Sequence, residues 1–157
     1  MKEDIKKNLY EYIDHVNFEE AEKIFLQLSF EEQNNYIMEY AFERYSMVVF
    51  LFMQYINSRN ENMNYYDCIV ELLLYPLSHI EGAYEMAYYY VQKCLKMEPE
   101  NIIFLKWLLS FYQLHMIDEG VAQKTTDKIL ILDPDNKYAL SMNERLKNKK
   151  GEIAKDD

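Results

Sequence analysis

The chain is poor in the residues that turn and break a backbone, with three Gly and three Pro among 157 residues. A sandwich or barrel of this length needs many tight turns, so the scarcity excludes an all-β fold and points to helices. Cysteine is scarce too. Cys68 and Cys94 lie 26 residues apart in apolar, helix-like stretches, with no second Cys near either. They read as two buried cytosolic thiols rather than a disulfide framework or half of a metal site. His15, His79 and His115 are dispersed, and none stands at ligand spacing from another His or Cys.

Several chemistries lack their sequence signatures. There is no Gly-rich phosphate loop, no nucleophile elbow and no HExxH pair. The stretch Asp133-Pro134-Asp135-Asn136 lacks the spaced oxygen ligands and distal Glu of a calcium loop. Acid pairs such as Glu19/Glu20 are plentiful, yet nothing places two carboxylates in the unequal environments that acid–base work requires. The expectation is a protein that is not an enzyme, with no catalytic residues, no metal and no cofactor.

Long apolar runs are also missing. Tyr45–Ser58 gives 14 uncharged residues between Arg44 and Arg59, several of them polar. A membrane-spanning helix needs roughly 18–20 apolar ones, so this reads as a buried helix. The start, "MKEDIKKNLYEY", mixes acids with lysines and has no apolar core of a signal peptide. A soluble, cytoplasmic protein without a membrane partner is expected.

What the chain does have is acid and tyrosine. Its net charge is −10, and half of its residues are apolar, so it is no disordered acidic tail. Residues 1–100 hold 18 Asp/Glu against 8 Lys/Arg, whereas 101–157 hold nine of each. Between Glu11 and Glu43 there are nine acids and a single base, Lys23. Such a density repels nucleic acid and anionic membranes and attracts a basic protein, although a solvated face that maintains solubility has the same composition. The candidate partner-binding acids are Glu19, Glu20, Glu31, Glu32, Glu39 and Glu43. Among 15 tyrosines, Tyr65-Tyr66 and Tyr84/Tyr88/Tyr89/Tyr90 cluster. Three successive tyrosines span about 200° of a helix, so they cannot all face one core. Tyr65, Tyr84, Tyr88 and Tyr89 complete the candidate surface, because Tyr combines large contact area with a polar tip.

Helical periodicity divides the chain. A first helix is predicted from Lys2 to about His15, and a second after Asn17, which is placed to cap it. Ser29-Phe30-Glu31-Glu32 is a capping box that opens the next helix, expected to run to about Asn57. Asn64 is placed to cap the helix that Pro76 must end near Leu74–Tyr75. Gly82 restarts the chain into "AYEMAYYYVQKCLKM".

A shift of 35 residues brings Ala87 onto Ala122, Lys93 onto Lys128, Leu95 onto Leu130 and Leu105 onto Leu140. It also lays Glu98-Pro99-Glu100-Asn101 over Asp133-Pro134-Asp135-Asn136. Two helices per period with a Pro turn between units is the pattern of a helical-hairpin solenoid. Over about 80–146 the chain resembles the tetratricopeptide repeat, with Ala87 and Ala122 at that family's small position and Pro99 and Pro134 at its closing Pro. Leu105, Leu108 and Tyr112 match its large positions, while Leu109 stands where the family has a small residue.

The resemblance implies an all-α fold: antiparallel helical hairpins stacked as a short solenoid of about seven to eight helices. One domain over 1–150 is expected, with N-terminal hairpins at 1–60, repeats and a capping helix at 64–146, and a frayed tail at 151–157. In size, charge and role the chain is also similar to small acidic bacterial immunity proteins, which neutralise toxins. That similarity implies an acidic antitoxin-type module capturing and occluding a basic protein, possible toxin domains included. A general repeat scaffold or peptide receptor, using Lys106, Lys124 and Lys128, is the alternative.

Overall fold

The computed structural model describes residues 2–153. Among them are nine α-helices and no strand: α1 (Lys2–Asp14), α2 (Phe18–Phe25), α3 (Phe30–Arg44), α4 (Val48–Arg59), α5 (Met63–Leu74), α6 (Ala83–Met97), α7 (Ile102–Gln113), α8 (Glu119–Leu132) and α9 (Lys137–Ile153). Of the tail expected at 151–157, residues up to Ile153 continue α9 and the last four lie outside the described residues. Within the stretch read as one domain from its length, two compact units can be told apart, divided inside α6 after Tyr90.

The first unit is built on aromatic rings. α1 packs against α2 and α4, and α5 against α3 and α4. Phe52 of α4 is fully buried, its ring 5.5 Å from Phe18 and 5.4 Å edge-on from Phe25. Phe25 in turn lies 6.1 Å from Tyr65 of α5. Burying such side chains stabilises the unit by about 1.5–3 kcal/mol each.

The long helix expected from Ser29 to Asn57 is two helices. Tyr45 adopts a left-handed conformation (φ 49°) at the end of α3, and the Ser46 hydroxyl accepts from the Val48 amide. The break lets Tyr40 and Ala41 of α3 and Phe52 and Ile56 of α4 all reach the core. Two expected caps also differ. Asn17 makes no side-chain cap bond, and Asn62 rather than Asn64 caps α5, accepting from the Asn64 amide at 2.8 Å.

With so few glycines, left-handed helix ends fall to other residues. α1 closes with Val16 at φ 57°, where the Asn17 and Val16 amides return to Tyr12 and Ile13 carbonyls. His115 does the same after α7 at φ 58°. An L-residue in this region costs roughly 1–2 kcal/mol, a price the closing hydrogen bonds offset.

At the α1–α3 seam the Tyr10 hydroxyl donates to the Tyr36 carbonyl (2.9 Å) and the Tyr40 hydroxyl to Asp14 (2.6 Å). Burial holds both phenols far above their ordinary value of 10.0, with nearby carboxylates adding to it. In the unfolded chain these groups ionise near pH 10, but in the fold they keep their protons. The folded state therefore binds more protons above pH 10, and stability falls as pH rises through that range while remaining unaffected below it. Phenolate absorbance and circular dichroism recorded together, as pH is raised past 10, check this. Tyr10 and Tyr40 should ionise only with cooperative loss of helix. A single smooth titration with the circular dichroism intact would contradict this.

The second unit holds the end of α6 with α7, α8 and α9, where α8 packs against both α7 and α9. Its two Pro turns are closely alike. Asn101 donates to Glu98 (2.7 Å) and accepts from the Phe104 amide (3.4 Å), with a further bond from the Ile103 amide (3.0 Å). Asn136 donates to Asp133 (2.9 Å) and accepts from the Ala139 amide (3.2 Å). The amides of Asn101 and Asn136 each return to the carbonyl three residues earlier at 3.1 Å. Ala122 is fully buried, as is Ala87 on the part of α6 that belongs to the first unit. This is an all-helical stack compatible with a helical repeat.

Candidate functional site

The first unit carries a cleft of about 230 Å³ where the end of α2, the first turn of α3 and the first half of α5 meet. The capping box sets one wall. The Ser29 hydroxyl accepts from the Glu32 amide (3.3 Å) while the Glu32 carboxylate accepts from the Ser29 amide (3.1 Å). That fixes the start of α3 and holds half-exposed Phe30 5.8 Å from the Tyr65 ring. Asn57, itself buried, sets the other wall by accepting from the Asn62 amide (3.1 Å), just before α5. Asn34 ties α3 to α5 by donating to Glu71 (3.2 Å).

The floor is apolar, formed by Phe25, Met53 and Tyr65, and two carboxylates, Glu31 and Asp67, line the cleft as well. Gln33 also lines it and is 94% buried, being 6% exposed. Its Nε2 donates to the Phe25 carbonyl (2.9 Å) and the Leu28 carbonyl (3.2 Å), satisfying backbone acceptors at the end of α2. These two bonds orient the amide, since turning it over would set Oε1 against two carbonyl oxygens. So oriented, Oε1 is a buried acceptor with no hydrogen-bond partner among the described residues. Burial raises the Tyr65 phenol, an effect partly opposed by Gln33. Cys68 also lines the cleft and is buried, and burial first, then Glu71 and Asp67, drives its thiol far up. A thiol so placed is no nucleophile.

A second, wider cleft of about 530 Å³ lies between α1 and α3. Its charges largely pair among themselves: Arg44 with Asp14 (3.6 Å) and Glu43 (3.9 Å), and Lys6 with neighbouring Glu39. The Lys6 ammonium is held above its ordinary range first by that hydrogen bond.

Of the residues singled out from sequence, Glu31 and Tyr65 meet in the first cleft, and Glu43 borders the second. Tyr65 is buried against Phe25 and Phe30 and serves as a wall of the cleft. Glu32 is engaged in the capping box, Glu20 pairs with Lys23, and Glu39 pairs with Lys6. Glu19 and Glu31 form no ion pair among the described residues and are exposed. On α6, Tyr89 is exposed, Tyr84 is exposed to a lesser degree and Tyr88 is half-buried. Phe30, Gln33 and Asp67 escaped the sequence reading. Phe30 alone had a signal, its place right after a capping Ser.

No group of three or more His, Cys, Asp or Glu that could hold a metal ion occurs among the described residues. No helix among them is long and apolar enough to cross a membrane. Comparison with protein-family models, with curated proteins and with solved structures finds no match for the chain.

Proposed function

We propose that this chain is a non-catalytic protein-binding module of the immunity or antitoxin type, whose acidic first unit captures and occludes a basic protein partner in the cytoplasm. The observation that carries this reading is the uneven charge. Residues 1–90 hold 16 Asp/Glu against 6 Lys/Arg, whereas 91–157 hold 11 of each, so the whole net charge resides in the first unit. Four of that unit's six bases are also engaged: Lys6, Lys23, Arg44 and Arg59 each pair with one of its own carboxylates. A surplus of acid of this kind accelerates association with a cationic protein. Phe30, Tyr45, Tyr75 and Tyr89, each more than half exposed on the same unit, supply aromatic contacts that slow dissociation.

The second reading is a tetratricopeptide-like scaffold or peptide receptor, favoured by the two equivalent turns 35 residues apart. Lys106 and Lys124 are exposed on its helices and Lys128 is partly so, a sparse set of cations for a peptide carboxylate.

Affinity capture with the full chain, followed by calorimetry on each captured protein, separates the two. The first reading expects a basic partner whose affinity, tighter than micromolar, falls about tenfold or more as salt is raised. It also expects weaker binding when Glu19→Gln and Glu31→Gln are combined. Binding only of salt-tolerant partners, mapped to 102–116, would replace it with the second.

A further inference from the structure

α3 and α5 run in parallel. Phe30 meets Tyr65 at their starts (5.8 Å), Asn34 donates to Glu71 farther along (3.2 Å), and Tyr45 meets His79 beyond their ends (5.8 Å). Met38 and Phe42 follow Asn34 at four-residue steps, and Tyr75 follows Glu71 likewise, so they lie on the sides of the two helices that flank this seam. Phe30, Phe42, Tyr45 and Tyr75 thus form an aromatic stripe along it, each ring between 49% and 59% exposed. Large apolar rings gathered in this way mark an interaction face. We propose that the seam receives an amphipathic helix of the basic partner, about three turns long, with its apolar side on the four rings and Lys or Arg on its flanks. This rests on the reading of the chain as a module for basic proteins and gives that reading a docking face.

Three observations select the occupant. The first is charge. Neither Ile24–Glu43 nor Asn60–Gln92 contains a single Lys or Arg, while Glu31, Asp67 and Glu71 border the seam. Arg44, at the end of α3, is turned to Asp14 and Glu43. A cationic segment is therefore drawn in, whereas a second copy would bring two acid-rich faces together. The second is backbone chemistry. An extended segment carries N–H and C=O groups that need partners, and the middle of the seam offers Asn34 and Glu71, already bonded to each other. A helix satisfies its own backbone and brings only side chains, which pack into the groove between two helices. The third is length: from Phe30 to Phe42 the stripe runs roughly 18 Å, the span of about twelve helical residues.

The test uses the whole chain and a peptide of about fifteen residues, built of leucine and lysine in the order of an amphipathic helix. One comparison peptide has the same composition in alternating, strand-like order, and another has glutamate for lysine. Nuclear magnetic resonance of the chain should show saturable shifts of the Met38, Phe42 and Glu71 amides, and both comparison peptides should bind about tenfold more weakly or less. Phe42→Ala and Tyr75→Ala, both at exposed positions, should each weaken binding about fivefold or more with the helical signal unchanged. Tyr89→Ala, exposed on α6, should leave it unaltered. Equal binding of the three peptides, or shifts spread over the acidic surface that follow charge alone, overturn the docking face. A dimer of the chain that Phe42→Ala separates also overturns it, since a second copy then covers the stripe. Capture of a basic partner undiminished by Phe42→Ala and Tyr75→Ala together overturns it too, and leaves the proposed function standing. Saturable binding of the helical peptide in the seam of a chain that captures no basic protein would support the docking face and remove that function.

Discussion

Phe52→Ala is expected to destabilise the fold by about 3–5 kcal/mol, the largest loss from any single truncation in the first unit. Phe52 is fully buried on α4, between Phe18 and Phe25. Truncation removes the ring's transfer free energy and leaves a cavity that the packed helices cannot close. It also removes the edge-to-face partner of Phe25, a contact contributing about 0.5–1.5 kcal/mol beyond burial. The consequence reaches the cleft, because Phe25 packs on Tyr65 and both line it. Urea unfolding followed by circular dichroism measures the change. Phe52→Leu, which retains most of the volume, should lose less than half as much. Phe30→Ala, where the ring is half exposed, should lose about 1 kcal/mol or less. A loss for Phe52→Ala no greater than that of Phe30→Ala would show that the aromatic chain does not hold the unit together.

The same contrast explains what could be read from the sequence. The helical class follows from turn chemistry, and the local signals that worked were those with a complete mechanism inside a few residues. The Ser29–Glu32 box forms both of its hydrogen bonds, Pro76 falls just after the end of α5, and the two Pro turns make matching bonds. The signals that failed lacked such closure. Nothing in Tyr45–Ser58 announces a turn, since the chain there has neither Gly nor Pro, and the left-handed Tyr45 is sustained by the packing of helices on both sides. Asn17 and Asn64 are reasonable caps by residue type, but the backbone path put the cap bond elsewhere or nowhere.

The candidate site was legible as charge and hidden as geometry. The acid run from Glu11 to Glu43 is plain in the sequence, but acids on one segment do not reveal which of them border a cleft. That depends on α5, whose Tyr65 and Asp67 come from more than thirty residues beyond Gln33. Gln33 itself sits among Glu31, Glu32 and two asparagines, a context that reads as solvent. Its burial is a tertiary fact, created when the end of α2 turns its carbonyls toward α3.

That placement makes Gln33→Glu the second substitution with a large expected effect, and one whose size depends on pH. The exchange replaces an amide that serves both the Phe25 and Leu28 carbonyls by a carboxyl that has one O–H to offer when protonated and none when ionised, at about 1–3 kcal/mol. It also places an acid in a buried position lined by Glu31 and Asp67, where burial and like charge both favour the protonated form. Unfolded, the new carboxyl titrates near its ordinary value of about 4.3. Folded, it holds its proton to higher pH, so the native state binds more protons and stability falls as pH rises from about 4. Each unit by which the folded value is raised adds about 1.4 kcal/mol to the loss at neutral pH. A total of about 4 kcal/mol at pH 7, shrinking to the donor loss alone at pH 4, is the expected result. Gln33→Met separates the two contributions, because it removes the same donor without adding an acid and should cost about the same at both pH values. Unfolding of the three proteins at both pH values provides the comparison. If the loss for Gln33→Glu does not depend on pH, the side chain at this position reaches water in the fold.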